Sequence, residues 1–380
     1  MTARHRGAAA ALALVVVSAL ALAGCSGDAN GSDPRSDLEV LVNPTDAAGS
    51  VAVPERRFFA ADSPWNTRID GAPTDKRSSQ MISLARERVG VTQSADGSIH
   101  TQRRIVNEGL YINTERWTTA LAAGGQPTKL VCRQLVCGDG AETTTLNVPS
   151  DVDPDPRYDG WFTIFDISKP IAYDLWRARR EDDGTISYQF MRKWDLDGSG
   201  FQKPQSVSAR GSGLPLFAGL IRPKELQAGL INHALAISVP GPASSVFVQP
   251  ASATDGNGRV SSLPEGARIR LKADVEVPTP TDPVTGKPIK MTPQQQRMAD
   301  AIVAALRTYG AIVVDRAAVP TLYAQRDVTS DMIAGNELIN LHLEDFEVAA
   351  MGPRHRFTPG AQTTTGESAT PSASASSEGN

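Results

Sequence analysis

From Leu230 onward the chain alternates. Ile231, His233, Leu235 and Ile237 fall on one face of an extended segment, and Asn232, Ala234 and Ala236 fall on the other. The same period of two runs through SSVFVQP (244–250) and ARIRLKADVEV (267–277), while DGWFTIFDIS (159–168) is an aromatic, β-branched run. IAYDLWRARREDDGTISYQFMRKW (171–194) reads as a hairpin turning at Glu181-Asp182-Asp183-Gly184, because Asp-Gly supplies the positive φ of a tight turn. Helical spacing is rarer. It predicts helices over 78–90, over 329–341 and, most clearly, over 292–310, where Met298, Ile302, Ala305 and Leu306 form one stripe. There Thr292 is placed as N-cap, Pro293 as N1, Gln295 as the partner in a capping box and Gly310 at C′. Pro223 opens a short helix that Gly229 ends, and AIVVD (311–315) returns as a strand. Many short strands, few helices and Gly/Pro-rich turns predict a mainly β fold, with a β-sandwich or jelly-roll-like core and a few peripheral α-helices. The helix-to-strand unit 292–315 sits least comfortably in a pure sandwich.

The two ends break this patterning. Arg4, His5 and Arg6 precede an unbroken apolar run, Ala8 to Leu22, that is short for a membrane span of roughly 20 residues. Leu22-Ala23-Gly24-Cys25 follows and resembles the lipobox of bacterial lipoproteins, in which the cysteine is acylated and becomes the new N-terminus. The resemblance implies a signal peptide over 1–24 and a lipid anchor on Cys25 holding the protein to the membrane at its extracellular face. Residues 25–52 begin with a polar, Gly/Ser/Asp/Asn-rich stretch and read as a flexible tether. Residues 357–380 are a Ser/Thr/Ala-rich tail with too little apolar content to fold. A single β-rich extracellular domain is expected over 53–356.

The formal net charge of −4 over 380 residues gives no reason to expect nucleic acid as a partner, because phosphate binding needs clustered Lys and Arg, and none is expected. With Cys25 acylated, Cys132 and Cys137 in CRQLVC are the remaining thiols, and an oxidising compartment makes them a disulfide. Two thiolates alone do not fill a tetrahedral metal site, and no metal site is assigned. No cofactor is expected, although the DLDGSG loop (195–200) leaves calcium open.

The candidate chemistry is scattered. His233 shares its face with aliphatic residues, which suits either a satisfied core imidazole or a proton shuttle on a concave sheet. Asp174 and Trp176 project to one side of a strand, a carboxylate beside an indole, as sugar binding uses. Asp255 and Asn257 occupy the loop PASATDGNG, first a turn and second a place to meet a ligand. Asp174, Glu225 and Asp255 are the carboxylates for a hydrolase, with His233 beside them. A lyase would use His233 or Tyr309 as base and Arg210 or Arg222 to neutralise a uronate. The Gly/Ser stretch 208–219 fits neither a phosphate-binding loop nor a nucleophile elbow.

The succession of DGWF, YDLW, GLIRPKELQAGLINHAL and LRTYGAIVVD resembles secreted actinobacterial proteins of uncharacterised function. That resemblance implies an extracellular domain and carries no catalytic residues with it. The expected function is a cell-surface lipoprotein that binds or cleaves polysaccharide, as hydrolase or lyase. The alternative is a non-catalytic surface binding or scaffold protein.

Overall fold

A computed structural model describes residue 53 and residues 56–94 and 96–359. The expected signal peptide, Cys25, the whole of the expected tether and nearly all of the expected tail lie outside the described residues.

The described chain is mainly β, with three α-helices: α1 (Ser78–Ala85), α2 (Pro223–Ala228) and α3 (Pro293–Thr308). Among the described residues no helix is long and apolar enough to cross a membrane. The largest sheet has six strands, ordered Phe346–Val348, Arg268–Leu271, Ala311–Arg316, Leu235–Val239, Thr321–Tyr323 and Tyr111–Asn113. It is mixed: Ala311–Arg316 runs parallel to Leu235–Val239 and antiparallel to Arg268–Leu271, the strand that precedes α3. A second sheet orders Phe190–Asp195, Ile171–Trp176, Phe162–Phe165 and Ala120–Ala123, and a third orders Thr143–Val148, Gln126–Cys132, Ile186–Tyr188 and Arg179–Arg180.

Alternation stacks these sheets into layers. Leu235, Ile237, Val313 and Leu322 face the helices, packing with Met81, Leu226, Ile302 and Leu306. Ala234, Ala236, Ile312 and Val314 face the other way and meet Leu121, Phe165, Ala172 and Trp194 of the second sheet, around Phe58, Trp65 and Phe217. The second sheet's opposite face, including Phe162, Ile164, Leu175 and Met191, packs on Leu130, Val148, Ile186 and Tyr188 of the third. The result is a sandwich of sheets with helices on one outer face. Each large side chain sealed between layers contributes about 1.5–3 kcal/mol.

The capping signals of α3 are realised: Thr292 Oγ1 accepts from Gln295 N at 3.2 Å, Gln295 Oε1 accepts from Thr292 N at 3.0 Å, and Gly310 has φ 68°. Three expectations are corrected. The helix expected over 78–90 stops at Ala85, and Glu87–Gln93 pairs with Ile99–Ile105 instead, since Val89, Val91 and Thr92 favour extended backbone. No helix forms over 329–341. There the Glu337 carboxylate accepts from Ala334 N and Gly335 N, and Gly335 adopts φ 89° where a Cβ would lie 2.5 Å from Ile112 O. The 171–194 hairpin is split between two sheets. Ile171–Trp176 pairs with Phe190–Asp195 in one, and Arg179–Arg180 pairs with Ile186–Tyr188 in the next. The break is at Arg177, with φ 51°. The strand read over 267–277 is regular only for Arg268–Leu271, and that over 244–250 only for Val246–Val248. Cys132 and Cys137 are joined in a disulfide at a Cα separation of 6.0 Å.

Candidate functional site

His233 and Glu225 come together. The regular strand begins at Leu235, so His233 lies just before it, beside α2. Its ring is 6% exposed; Nδ1 donates to Ala234 O at 2.9 Å and Nε2 faces Glu225 Oε1 at 3.0 Å. Both ring nitrogens thus meet oxygen partners. Arg222 donates to Glu225 Oε1 at 2.5 Å, and its backbone N donates to Oε2. Burial would push the Glu225 carboxyl up, but the charge and hydrogen bond of His233, followed by those of Arg222, hold it at about 2. The group is a closed ion cluster tying α2 to the central sheet. No other candidate carboxylate takes part in it.

Asp174 lies elsewhere. Its strand turns it, with Thr163, toward the layer between the first two sheets, where it is 2% exposed. Oδ1 accepts from Thr163 Oγ1 at 3.0 Å and Oδ2 has no partner among the described residues. Burial pushes its carboxyl up to about 7, against the Thr163 hydrogen bond and the Arg210 charge. Trp176 emerges half-buried at the strand end, and the Arg177 guanidinium covers its ring at 4.7 Å.

The densest electrostatic perturbation surrounds Asp255. One carboxylate oxygen each from Asp255, Glu265 and Asp315 lies within 4.8 Å of the others. Asp315 follows the apolar run 311–314 near the end of its strand, Glu265 sits in the loop before Arg268–Leu271, and Asp255 tops the loop after Val246–Val248. Glycine makes the approach possible: a Cβ on Gly211 would lie 2.3 Å from Asp255 Oδ1, and one on Gly256 would lie 2.2 Å from Ala243 O. The Gly/Ser stretch therefore serves close packing against a carboxylate.

The three acids differ in exposure. Glu265 is fully buried; Oε2 accepts from Asp255 N at 3.3 Å, and Oε1 has no partner among the described residues. Burial, then the charges of Asp255 and Asp315, push Glu265 well above the ordinary carboxylate range. Asp315 is raised by burial and by Asp255 but opposed by Arg210, whose Nη1 donates to Oδ2 at 2.8 Å. The Asp255 side chain is 39% exposed and pairs with Arg316 at 3.2 Å. Arg210 is itself buried, stacked 3.3 Å over the Trp161 ring, and donates to Trp117 O at 3.2 Å. Tyr323 closes the seam, sharing a hydrogen bond with Ser238 Oγ, and burial raises its hydroxyl to about 12.

Of the predicted site residues, Asp255 and Arg210 reach this seam. Asn257 is in the same loop, with Oδ1 buried and unpartnered among the described residues. Tyr309 caps the end of α3, where its carbonyl accepts from Arg268, and Arg222 belongs to the His233 cluster. Glu265 and Asp315 were missed. Asp315 carried a signal, a carboxylate directly after an all-apolar run; Glu265 in LPEGAR carried none. In the 195–200 loop Asp195 Oδ1 accepts from Asp197 N, and Asp197 pairs with Arg56. The all-oxygen set of Asp255, Glu265 and Asp315 is the better match to a hard cation such as calcium.

The fold and this seam define a layered, mainly β protein with a graded carboxyl cluster reaching from core to surface. No family model, curated protein or solved structure matches the chain.

Proposed function

We propose that this chain is a lipid-anchored protein of the outer cell surface that hydrolyses a polysaccharide, with Asp255, Glu265 and Asp315 as its acid–base centre. The supporting observation is the spacing of the three carboxyl groups, within 4.8 Å, with one sealed in the core and one at the surface. Three like charges so close do not all ionise, so a proton is held there at neutral pH. Burial places it on Glu265, and Asp255 is the neighbour that meets substrate. In this reading the proton held at Glu265 passes by way of Asp255 to the glycosidic oxygen as the C–O bond breaks. Asp315, its Oδ2 accepting from Arg210, attacks the anomeric carbon as its carboxylate; water then breaks that ester bond, passing a proton back to Asp255 as the sugar and the Asp315 carboxylate are released. A spacing this short suits double displacement, which uses carboxyls about 5–5.5 Å apart, better than inversion at about 6.5–9.5 Å. His233 and Glu225 then have a structural task, and Asp174 tunes the seam from the facing sheet.

The test is release of reducing ends from cell-wall and uronic-acid polysaccharides by the full chain. Asp255→Asn and Glu265→Gln are each expected to lower kcat by about 100-fold or more. Absence of reducing ends from every polysaccharide, or full rates in both variants, sinks the proposal. Unsaturated-product absorbance would indicate elimination instead. Loss of activity in a chelator, restored by calcium, would replace the shared proton with a metal on the same residues. The address is tested by Cys25→Ser, which is expected to release the protein from the membrane fraction.

A further inference from the structure

A second surface feature lies where the split hairpin crosses from one sheet to the next. A recess of about 350 Å³ opens there, lined by Arg133, Arg157, Arg177, Arg179, Asp159 and Gln189 among others. That volume falls within the range of about 300–1,000 Å³ usual for small-ligand sites. Arg133 and Arg179 share Glu181, and Arg157 pairs with Asp155 at 2.7 Å. Among the described residues Arg177 has no carboxylate partner; its guanidinium lies over the Trp176 ring. Arg116, likewise without a carboxylate, sits 5.7 Å over Tyr158, which also receives Arg157 at 5.5 Å and the edge of Trp117 at 5.4 Å. Five arginines thus face three carboxylates (Asp155, Asp159 and Glu181), leaving a local positive excess on a chain whose net charge is −4.

The backbone holds this arrangement rigidly. Asp159 and Arg177 both have positive φ, 63° and 51°, as does Trp117 at 57°. Arg177 N donates to Asp159 O at 2.9 Å and Ala178 N donates to Gly160 O at 3.0 Å, and a Cβ on Gly160 would lie 2.4 Å from Ala178 O. Residues in such conformations persist where the surroundings over-determine them, and they concentrate at binding sites.

We infer that this recess binds the anionic groups of a polyanionic glycan, its guanidiniums taking carboxylate or phosphate oxygens and its rings taking sugar C–H faces. Trp117 joins it to the acid–base centre: its ring packs on Tyr158 and its carbonyl accepts from Arg210. A short cluster of this kind fits single anionic groups on a sugar chain better than the extended basic stripe that nucleic acid requires. The inference rests on the polysaccharide reading for the nature of the polymer. Binding is measured apart from cleavage, so the two fail separately.

The experiment is equilibrium binding of the full chain to polygalacturonate, to poly(glycerol phosphate), to neutral dextran and to a single-stranded DNA oligomer. Binding to either of the first two, weakening with salt, is expected; the preferred one identifies the anion. Arg177→Glu and, at a fully surface position, Arg157→Gln should each weaken it at least tenfold and leave the far-ultraviolet spectrum unchanged. Equal binding of dextran, tighter binding of DNA, no binding of either polyanion, or unchanged affinity in a folded Arg157→Gln, Arg177→Gln double variant overturns it.

Discussion

At the scale of the residue, the contact of His233 with Glu225 ties α2 to the central sheet. His233 was readable as a core imidazole because Ile231, Leu235 and Ile237 share its side, and all three do pack toward the helices. Its partner was not readable, since Glu225 is eight residues away and only the fold of α2 onto the sheet brings it within 3.0 Å. That pair yields a prediction. Glu225→Gln leaves the Arg222 guanidinium and the His233 ring without their shared carboxylate, and breaking a buried pair this way costs about 3–5 kcal/mol. The sign with pH follows from the depressed carboxyl. Its contribution is complete above 4.5, the ordinary glutamate value, and is lost as pH falls toward about 2. Denaturant unfolding of both proteins at pH 6 and pH 3 measures this: the gap should narrow on acidification, and an equal gap at both values contradicts it.

At the scale of the element, legibility tracked whether the signal was local. The capping box of α3 depends on two side chains three positions apart, Thr292 and Gln295, so 292–310 was placed within two residues. Removing it should cost what an N-cap is worth: Thr292→Ala is expected to destabilise by about 1 kcal/mol, with no change in polyanion binding. A drop beyond about 2 kcal/mol would mean that the hydroxyl has a tertiary role. The segments 329–341 and 86–90 failed for the opposite reason. Their helical spacing is real in sequence, but close approach to Ile112 at Gly335 and pairing with Ile99–Ile105 override it. The hairpin likewise kept its Asp183-Gly184 turn while the positive φ at Arg177 redirected its arms into different sheets. That redirection, invisible to alternation alone, is what creates the arginine recess.

At the scale of the molecule, a mainly β sandwich with peripheral helices could be anticipated from pattern. The stacking of three sheets could not, because strands such as Tyr111–Asn113 and Thr321–Tyr323 pair across some 200 residues. The candidate centre is a product of that stacking, and it leaves a mark on the whole protein's stability. Asp174 is raised from 3.8 to about 7, and Glu265 and Asp315 are raised as well. In each case the unfolded chain loses its proton first, so the folded state loses stability as pH rises from about 4 toward 7 and beyond. Glu225 and the partly buried Asp155 and Glu347 are depressed, so stability also falls below about pH 4. The two limbs place the optimum near pH 5, at the acid end of the usual range of about 5–8. Thermal midpoints from pH 3 to pH 9 trace the curve. Asp174→Asn removes one raised carboxyl while keeping its shape, so it should flatten the limb between pH 5 and pH 8 and move the optimum upward. A stability curve still rising through pH 7 in the native protein would show that these carboxyls ionise freely, and the proton held at Asp255, Glu265 and Asp315 would have no place in catalysis.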